Sequence, residues 1–201
     1  MQLILGSTSP DKKQLVAQLH VPFTPVDPNV DEGKFLQPIV EQTVRVLAEL
    51  KVKALLPDYV GTDTLIITAD VAGELDGKFL GKPNSRQDAI DTIMSYSGRE
   101  MYIWTGTSVA NAQSGKITTD VRKATISFYP LTREQVIMYV DEKNPLDKGG
   151  SIAIEEIEEC GFVKTITGER AAIIGLSLEF VQKELCRERE SNPHGIATAR
   201  T

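Results

Sequence analysis

Apolar positions along the chain occur in two patterns, short continuous runs and helical spacing, and together they predict an α/β protein. Residues 3–5 and the run "TLIITA" are typical of buried strands. Two longer segments, "EMYIWTGTSVA" and "RKATISFYPL", predict a pair of long neighbouring strands joined by the turn "NAQSG". Apolar residues at a spacing of three and four predict a long helix over residues 38–56. This mixture favours an elongated mixed sheet flanked by helices.

Turn and capping residues predict where several elements begin and end. Ser9, followed by proline, is typical of the start of a helix after the first strand. Asp76 and Gly77 suit the two-residue type I′ turn of a hairpin. Thr132 and Gln135 have the spacing of a capping box. A further strand is predicted near "GFVKTI" and a last helix near "GLSLEF".

Length and composition favour one soluble unit. The 201 residues are 41% hydrophobic and contain neither an internal repeat nor a long linker, so we predict a single two-lobed domain over residues 1–186 and a flexible polar tail over 187–201. The N-terminal segment is typical of a strand rather than a signal peptide, and no apolar run is long enough to cross a bilayer. We therefore expect a cytoplasmic protein without a membrane partner.

Charge and the rare residue types exclude several functional classes. The net charge is −6 and the basic residues are scattered, which argues against a nucleic-acid polymer as partner. Two distant cysteines and only two histidines argue against a structural disulfide, a zinc site or a Ser-His-Asp triad. Any chemistry therefore has to come from carboxylates, lysines and hydroxyls.

Lys51 falls within the apolar stripe of the long predicted helix. At roughly 100° per residue, Val40, Val44 and Leu47 share one arc, Lys51 lies in its middle, and Lys53 points the opposite way. A lysine in such a stripe either extends to solvent or meets a partner that compensates its desolvation. The second alternative places this part of the helix beside a cleft that holds an anion.

Asp70 ends the apolar strand "TLIITA", and ligand sites of α/β sheets gather at such strand ends, although aspartate is also common in turns. Counting along the hairpin pairs Leu75 with Lys78 and Lys82 with Val71, one residue from the level of Asp70. Strict alternation places the side chains of Asp70 and Lys82 on opposite faces. The register thus predicts that they are close, but not that they share a face.

The segment "LILGSTSPDKK" combines a helix N-terminus with hydroxyl groups and cations. Backbone amides there attract anions, and Ser7, Ser9, Lys12 and Lys13 add donors and positive charge. A capped helix with two surface lysines explains this segment when it is taken alone. Together with the other lysines, and with carboxylates such as Glu32 that suit Mg²⁺ or Mn²⁺, it predicts a site for a polyphosphate and its metal.

The chain resembles the Maf-like nucleoside triphosphate pyrophosphatases over residues 3 to about 185. The matching pieces, in order, are "LILGSTSP", "PNVDE", "LAELKVKA", "ITADVAGELDGKFLGKP", "SYSG", "FYPLTREQVIMYV", "NPLDKGGSIAIEE" and "IIGLSL". The resemblance implies a cleft between two lobes and, for many members, a homodimer. It also implies hydrolysis of a nucleoside triphosphate between its α- and β-phosphates, giving a monophosphate and pyrophosphate with the help of Mg²⁺ or Mn²⁺.

The resemblance also implies roles for individual residues. Asp70 would activate water or help to hold the metal, and Glu32 would hold the metal. Glu155 and Lys148 would contact the base. The phosphates would be held by Ser7, Ser9, Lys12, Lys13, Lys51 and Lys82.

Departures from the family pattern leave activity and base preference open. Lys12 and Lys13 stand where the family usually has arginines, and lysine lacks the bidentate fork for phosphate. The alternative is a nucleotide-binding protein with weak or no turnover, and a protein-interaction role ranks third. At Lys148 the chain resembles the dTTP/UTP-type members, whereas at Glu155 it resembles the 7-methyl-GTP type. We slightly favour a modified purine as the base. Most of the run "EEIEE" is interpreted as a solvated face.

Overall fold

The structure is a computed structural model, and it describes residues 1–191. Its strands are β1 (Gln2–Leu5), β2 (Thr24–Pro25), β3 (Thr64–Leu75), β4 (Lys78–Leu80), β5 (Glu100–Asn111), β6 (Ile117–Phe128) and β7 (Val163–Thr167). Its α-helices are α1 (Pro10–Ala17), α2 (Val40–Leu55), α3 (Arg86–Met94), α4 (Arg133–Lys143), α5 (Ile154–Glu159), α6 (Arg170–Ile174) and α7 (Leu178–Ser191). Among residues 1–191, no helix combines the length and the apolar character that a membrane crossing requires.

The strands form one mixed sheet, which confirms the predicted fold class. The order is β2-β1-β3-β5-β6-β7, with β4 paired to β3. β1 lies parallel to β2 and β3, and the other pairs are antiparallel. The three longest strands, β3, β5 and β6, lie side by side and make the sheet elongated.

Apolar cores at the two ends of the sheet define the two lobes. At the β1 end, alternation along β3 sends Leu65 and Ile67 against α1 and α7, and Ile66 against α2 on the other face. At the β7 end, a separate core includes Tyr96, Ile126 and residues of α3, α4 and α5. Each lobe therefore has its own core, and β3, β5 and β6 run through both.

Local signals in the sequence correctly predicted most element boundaries. Ser9 and Ser85 cap α1 and α3, and Thr132 forms the expected capping box of α4. The hairpin pairs Leu75 with Lys78 as counted. The segment expected to be a polar tail begins within α7, which reaches Ser191, and residues 192–201 of that prediction lie outside the described residues.

Gly106 of β5 allows α2 to lie unusually close to the sheet. A Cβ at this position would be 2.2 Å from the carbonyl oxygen of Val44. We expect Gly106→Ala to lower the free energy of unfolding by about 3 kcal/mol, the upper end for overpacking, because the obstacle is backbone. Urea unfolding checks this against Gly33→Ala, whose added Cβ has its nearest neighbour at 3.7 Å. Equal midpoints for the two variants would contradict the close packing.

Candidate active site

A cavity of about 1120 Å³ lies between α1, the β3–β4 hairpin and the segment 147–156. It is large enough for a nucleotide by the usual size of ligand pockets. The predicted site residues that line it are Ser9, Lys12, Glu32, Asp70, Lys82, Lys148 and Glu155. Among the residues that the structure describes, Ser7, Lys13 and Lys51 do not line it. Seven of the ten candidate residues therefore border one cavity, and Lys51 contacts two of the residues that line it, Asp70 and Glu32.

Lys51 and Asp70 form a buried ion pair at this wall. Lys51 is only 7% exposed, and its Nζ lies 2.7 Å from Asp70 Oδ1, 2.7 Å from Glu32 Oε1 and 3.5 Å from the carbonyl oxygen of Ala69. The lysine of the apolar stripe thus meets partners that compensate its desolvation and does not extend to solvent. Those partners are carboxylates of the protein.

Helix geometry explains why Lys51 reaches Asp70. Asp70 pairs with Gly106 across β3 and β5, directly beneath Val44 of α2. Cα–Cβ bonds on a helix tilt toward its N-terminus, so the Lys51 side chain, further along α2, extends back toward Asp70 and meets its carboxylate. Thr68 fixes the helix in between, because its hydroxyl donates to the carbonyl oxygen of Ala48 at 2.7 Å.

The pKa values at the site reflect burial and crowding of charge. Burial raises the pKa of the Asp70 carboxyl above its usual range, and repulsion from the Glu32 carboxylate adds to this rise. The positive charge of Lys51 lowers the same pKa but does not outweigh burial. For Lys51 burial acts downward, but the two carboxylates outweigh it and raise the pKa. Burial and the nearby charge of Lys51 lower the pKa of Lys12.

The turn before α1 leaves hydroxyl groups and one lysine near the cavity. Ser7 Oγ accepts from the Ser9 amide at 3.1 Å and Ser9 Oγ accepts from the Lys12 amide at 3.5 Å, so both hydroxyl protons are free of these bonds. Lys12 extends over Gly175, where an added Cβ would lie 3.3 Å from its Nζ. Within residues 1–191, Lys12 makes no ion pair at 4.0 Å or closer, so its ammonium group is available to an anion in the cavity.

Lys82 and Lys148 lie in two segments of the cavity wall that a backbone hydrogen bond joins. The Gly150 amide donates to the Gly81 carbonyl at 2.9 Å, and the buried Tyr96 hydroxyl donates to the Gly150 carbonyl at 2.8 Å. The bond between Gly81 and Gly150 links the segment after β4 to the loop before α5. Lys82 and Asp70 border the same cavity, but no hydrogen bond or ion pair between them occurs within the described part of the chain.

The cavity wall also contains a carboxylate from the acidic run, most of which the sequence predicts to be a solvated face. Glu156 lines the cavity, and its Oε2 accepts from the Tyr139 hydroxyl at 2.9 Å. Its Oε1 lies 3.7 Å from Lys148 Nζ. Glu155 also lines the cavity but is exposed, and in the part of the chain described it makes no hydrogen bond or ion pair. No signal in the acidic run distinguished these two neighbours.

The donor set fits a hard divalent cation that a substrate helps to hold. Glu32 and Asp70 both lie within hydrogen-bond distance of one nitrogen, so their oxygens converge on a small volume beside the cavity. Within residues 1–191 no cluster of three or more candidate metal ligands occurs. Mg²⁺ is commonly bound through one or two carboxylates together with substrate phosphates and water. These residues suit that arrangement and do not form a complete protein cage.

Comparisons with known proteins found similarity both in sequence and in fold. The sequence model of a family described as Maf-like protein matches residues 2–188. The "7-methyl-GTP pyrophosphatase" of Vibrio vulnificus is 32% identical over 88% of this chain and 90% of the relative. The "dTTP/UTP pyrophosphatase" of Bacillus velezensis is 31% identical over 92% and 95%. The structure of the Staphylococcus aureus Ham1 protein superposes with a TM-score of 0.51 and 16% identity, covering 94% of this chain and all of that one, so the two share a fold.

Proposed function

Since the chain belongs to the Maf-like protein family, we propose that it is a nucleoside triphosphate pyrophosphatase. The reaction would cleave the bond between the α- and β-phosphates and release a nucleoside monophosphate and pyrophosphate. The observation that carries the proposal is the buried Lys51–Asp70 pair with Glu32, at the wall of a cavity of nucleotide size. Relatives named as pyrophosphatases for two kinds of nucleotide support the same reaction.

Asp70 is the group best placed to activate water. A general base must lie within hydrogen-bond reach of the water and have a pKa that lets it accept a proton near the working pH. Asp70 borders the cavity, and burial raises the pKa of its carboxyl. Water attacks the α-phosphorus, its proton passes to Asp70, and the bond to the bridging oxygen breaks with pyrophosphate as the leaving group. Lys51 fixes the carboxylate orientation through its 2.7 Å contact.

Lysines would hold the phosphates, and charge balance calls for a metal as well. The positive charges of Lys12, Lys82 and Lys51, which lies behind the cavity wall, are matched by the carboxylates Asp11, Glu32 and Asp70, so the charge of the protein there is nearly balanced. A triphosphate brings several negative charges that remain to be neutralised. Glu32 and Asp70 would hold Mg²⁺ or Mn²⁺, which would supply this neutralisation and polarise the phosphoryl oxygens.

We also propose that the protein is a cytoplasmic homodimer and that it prefers one class of base. A modified purine such as 7-methylguanine is favoured, because the adjacent glutamates that line the cavity, Glu155 and Glu156, offer only acceptors to the base. The relatives carry names of both substrate types, so their names alone leave the choice between them open.

A panel of triphosphates tests the proposal. We expect pyrophosphate release from only a few members of a set that includes 7-methyl-GTP, GTP, dTTP and UTP. Release should need Mg²⁺ or Mn²⁺, disappear with EDTA and return when the metal is restored in excess. Thermal stabilisation by triphosphates without any release would instead support the alternative of a nucleotide-binding protein without turnover.

A further inference from the structure

Helix α5 presents two adjacent glutamates to the cavity, but only one of them is held in place. Ile154 and Ile157 are buried and fix the rotation of the helix. Tyr139, 1% exposed, donates its hydroxyl proton to Glu156 at 2.9 Å and accepts from the Ala153 amide at 3.4 Å. The single hydroxyl proton of Tyr139 is therefore donated to Glu156 and orients that carboxylate.

Lys148 stands beside this carboxylate on the cavity wall. Its Nζ is 3.7 Å from Glu156 Oε1, and the lysine is half-buried. Each carboxylate oxygen can accept more than one hydrogen bond, so Glu156 retains acceptor capacity after binding Tyr139. The wall thus presents an oriented acceptor pair next to a cationic donor.

We propose that Glu156, positioned by Tyr139 and flanked by Lys148, selects the nucleotide base by reading a guanine-type edge. The inference rests on the proposed function and concerns the same cavity. The carboxylate accepts from the ring N–H and the exocyclic amino group of guanine, and the ammonium group donates to the carbonyl oxygen beside them. A uracil or thymine edge has a single N–H between two carbonyl oxygens, so one carbonyl oxygen would face the carboxylate and be repelled.

The surrounding charge favours a base that carries positive charge. Within the lining segment 147–156, the carboxylates Asp147, Glu155 and Glu156 outnumber the single cation, Lys148. A guanine alkylated on its imidazole ring is cationic, and its ring N–H is a stronger donor to a carboxylate. The same edge contacts therefore fit such a base better than unmodified guanine.

The test is the ratio of kcat/KM for 7-methyl-GTP over that for UTP, measured in full-length variants. Glu156→Gln keeps the shape but replaces an acceptor by a donor, and we expect the ratio to fall about 10- to 100-fold, the usual value of a bidentate base contact. Tyr139→Phe should lower the ratio several-fold without abolishing UTP turnover. Glu159→Gln, an exposed glutamate on the same helix that does not line the cavity, is the matched control.

The outcomes separate this inference from the proposed function. Wild-type release with a ratio that Glu156→Gln leaves unchanged, or that only Glu155→Gln lowers, overturns the role of Glu156 and leaves the reaction intact. If the wild type releases no pyrophosphate, the proposed reaction fails, and the ratio of thermal stabilisation by the two nucleotides then tests the base contact without turnover. A stabilisation ratio equal in wild type and Glu156→Gln overturns it in that case as well.

Discussion

Asp70→Asn is expected to reduce pyrophosphate release by about 10²- to 10⁴-fold, the usual contribution of a positioned general base. Asparagine has nearly the same shape but cannot accept the proton of the attacking water. Lys51 keeps its 2.7 Å contact with Glu32, so the variant should remain folded. The measurement is kcat for the best triphosphate of the panel, with a thermal melt of the same preparation.

Asp76→Asn is the matched control for this variant. Asp76 occupies the hairpin turn with φ of 52°, and asparagine suits such a turn equally well. The control should keep the activity of the wild type. Turnover that survives Asp70→Asn unchanged would remove Asp70 from the mechanism.

Lys51→Met is expected to impair both stability and activity. It leaves Asp70 and Glu32 beside each other without the cation between them, and removing one partner of a buried pair typically costs about 3 kcal/mol or more. The free energy of unfolding should fall by about 3 kcal/mol, the lower end of this range, because Glu32 is half-exposed and water can still solvate it. Pyrophosphate release should fall by about 10²-fold or more, since Asp70 loses its fixed orientation.

A divalent cation should partly restore the stability of Lys51→Met. The two carboxylates would bind it in place of the ammonium group, so Mg²⁺ should raise the melting temperature of this variant more than that of the wild type. Lys53→Met is the control, because Lys53 is exposed on the same helix and pairs only with Glu49 within residues 1–191. Unfolding of both variants at the same urea concentration would contradict a structural role for Lys51.

Local signals explain why much of the fold could be predicted from the sequence. The hairpin, the capping box and the paired long strands depend on residues close together in the chain, and each is present as predicted. Helical spacing placed Lys51 in the apolar stripe but left open whether it extends to solvent or meets a partner, and the structure shows it buried. Its partner Asp70 is 19 positions away, and the spacing within one helix carries no information about such a contact.

The parts of the site that the sequence did not predict depend on how elements are rotated in the fold. Lys13 and Lys12 are adjacent, but only Lys12 borders the cavity, because α1 packs with Leu15 and Val16 toward the core. The sequence predicts a solvated face for Glu156, because nothing in the acidic run marks which glutamate meets Tyr139. That contact joins α4 to α5. The roles assigned to the ten candidate residues stay predictions until the variants are measured.

The most direct test of the central claim is hydrolysis of the best triphosphate in ¹⁸O-enriched water, with mass analysis of both products. Attack of water at the α-phosphorus, as Asp70 would direct it, places one ¹⁸O in the nucleoside monophosphate and none in pyrophosphate. Label in pyrophosphate, or release of inorganic phosphate with a nucleoside diphosphate, would contradict the account.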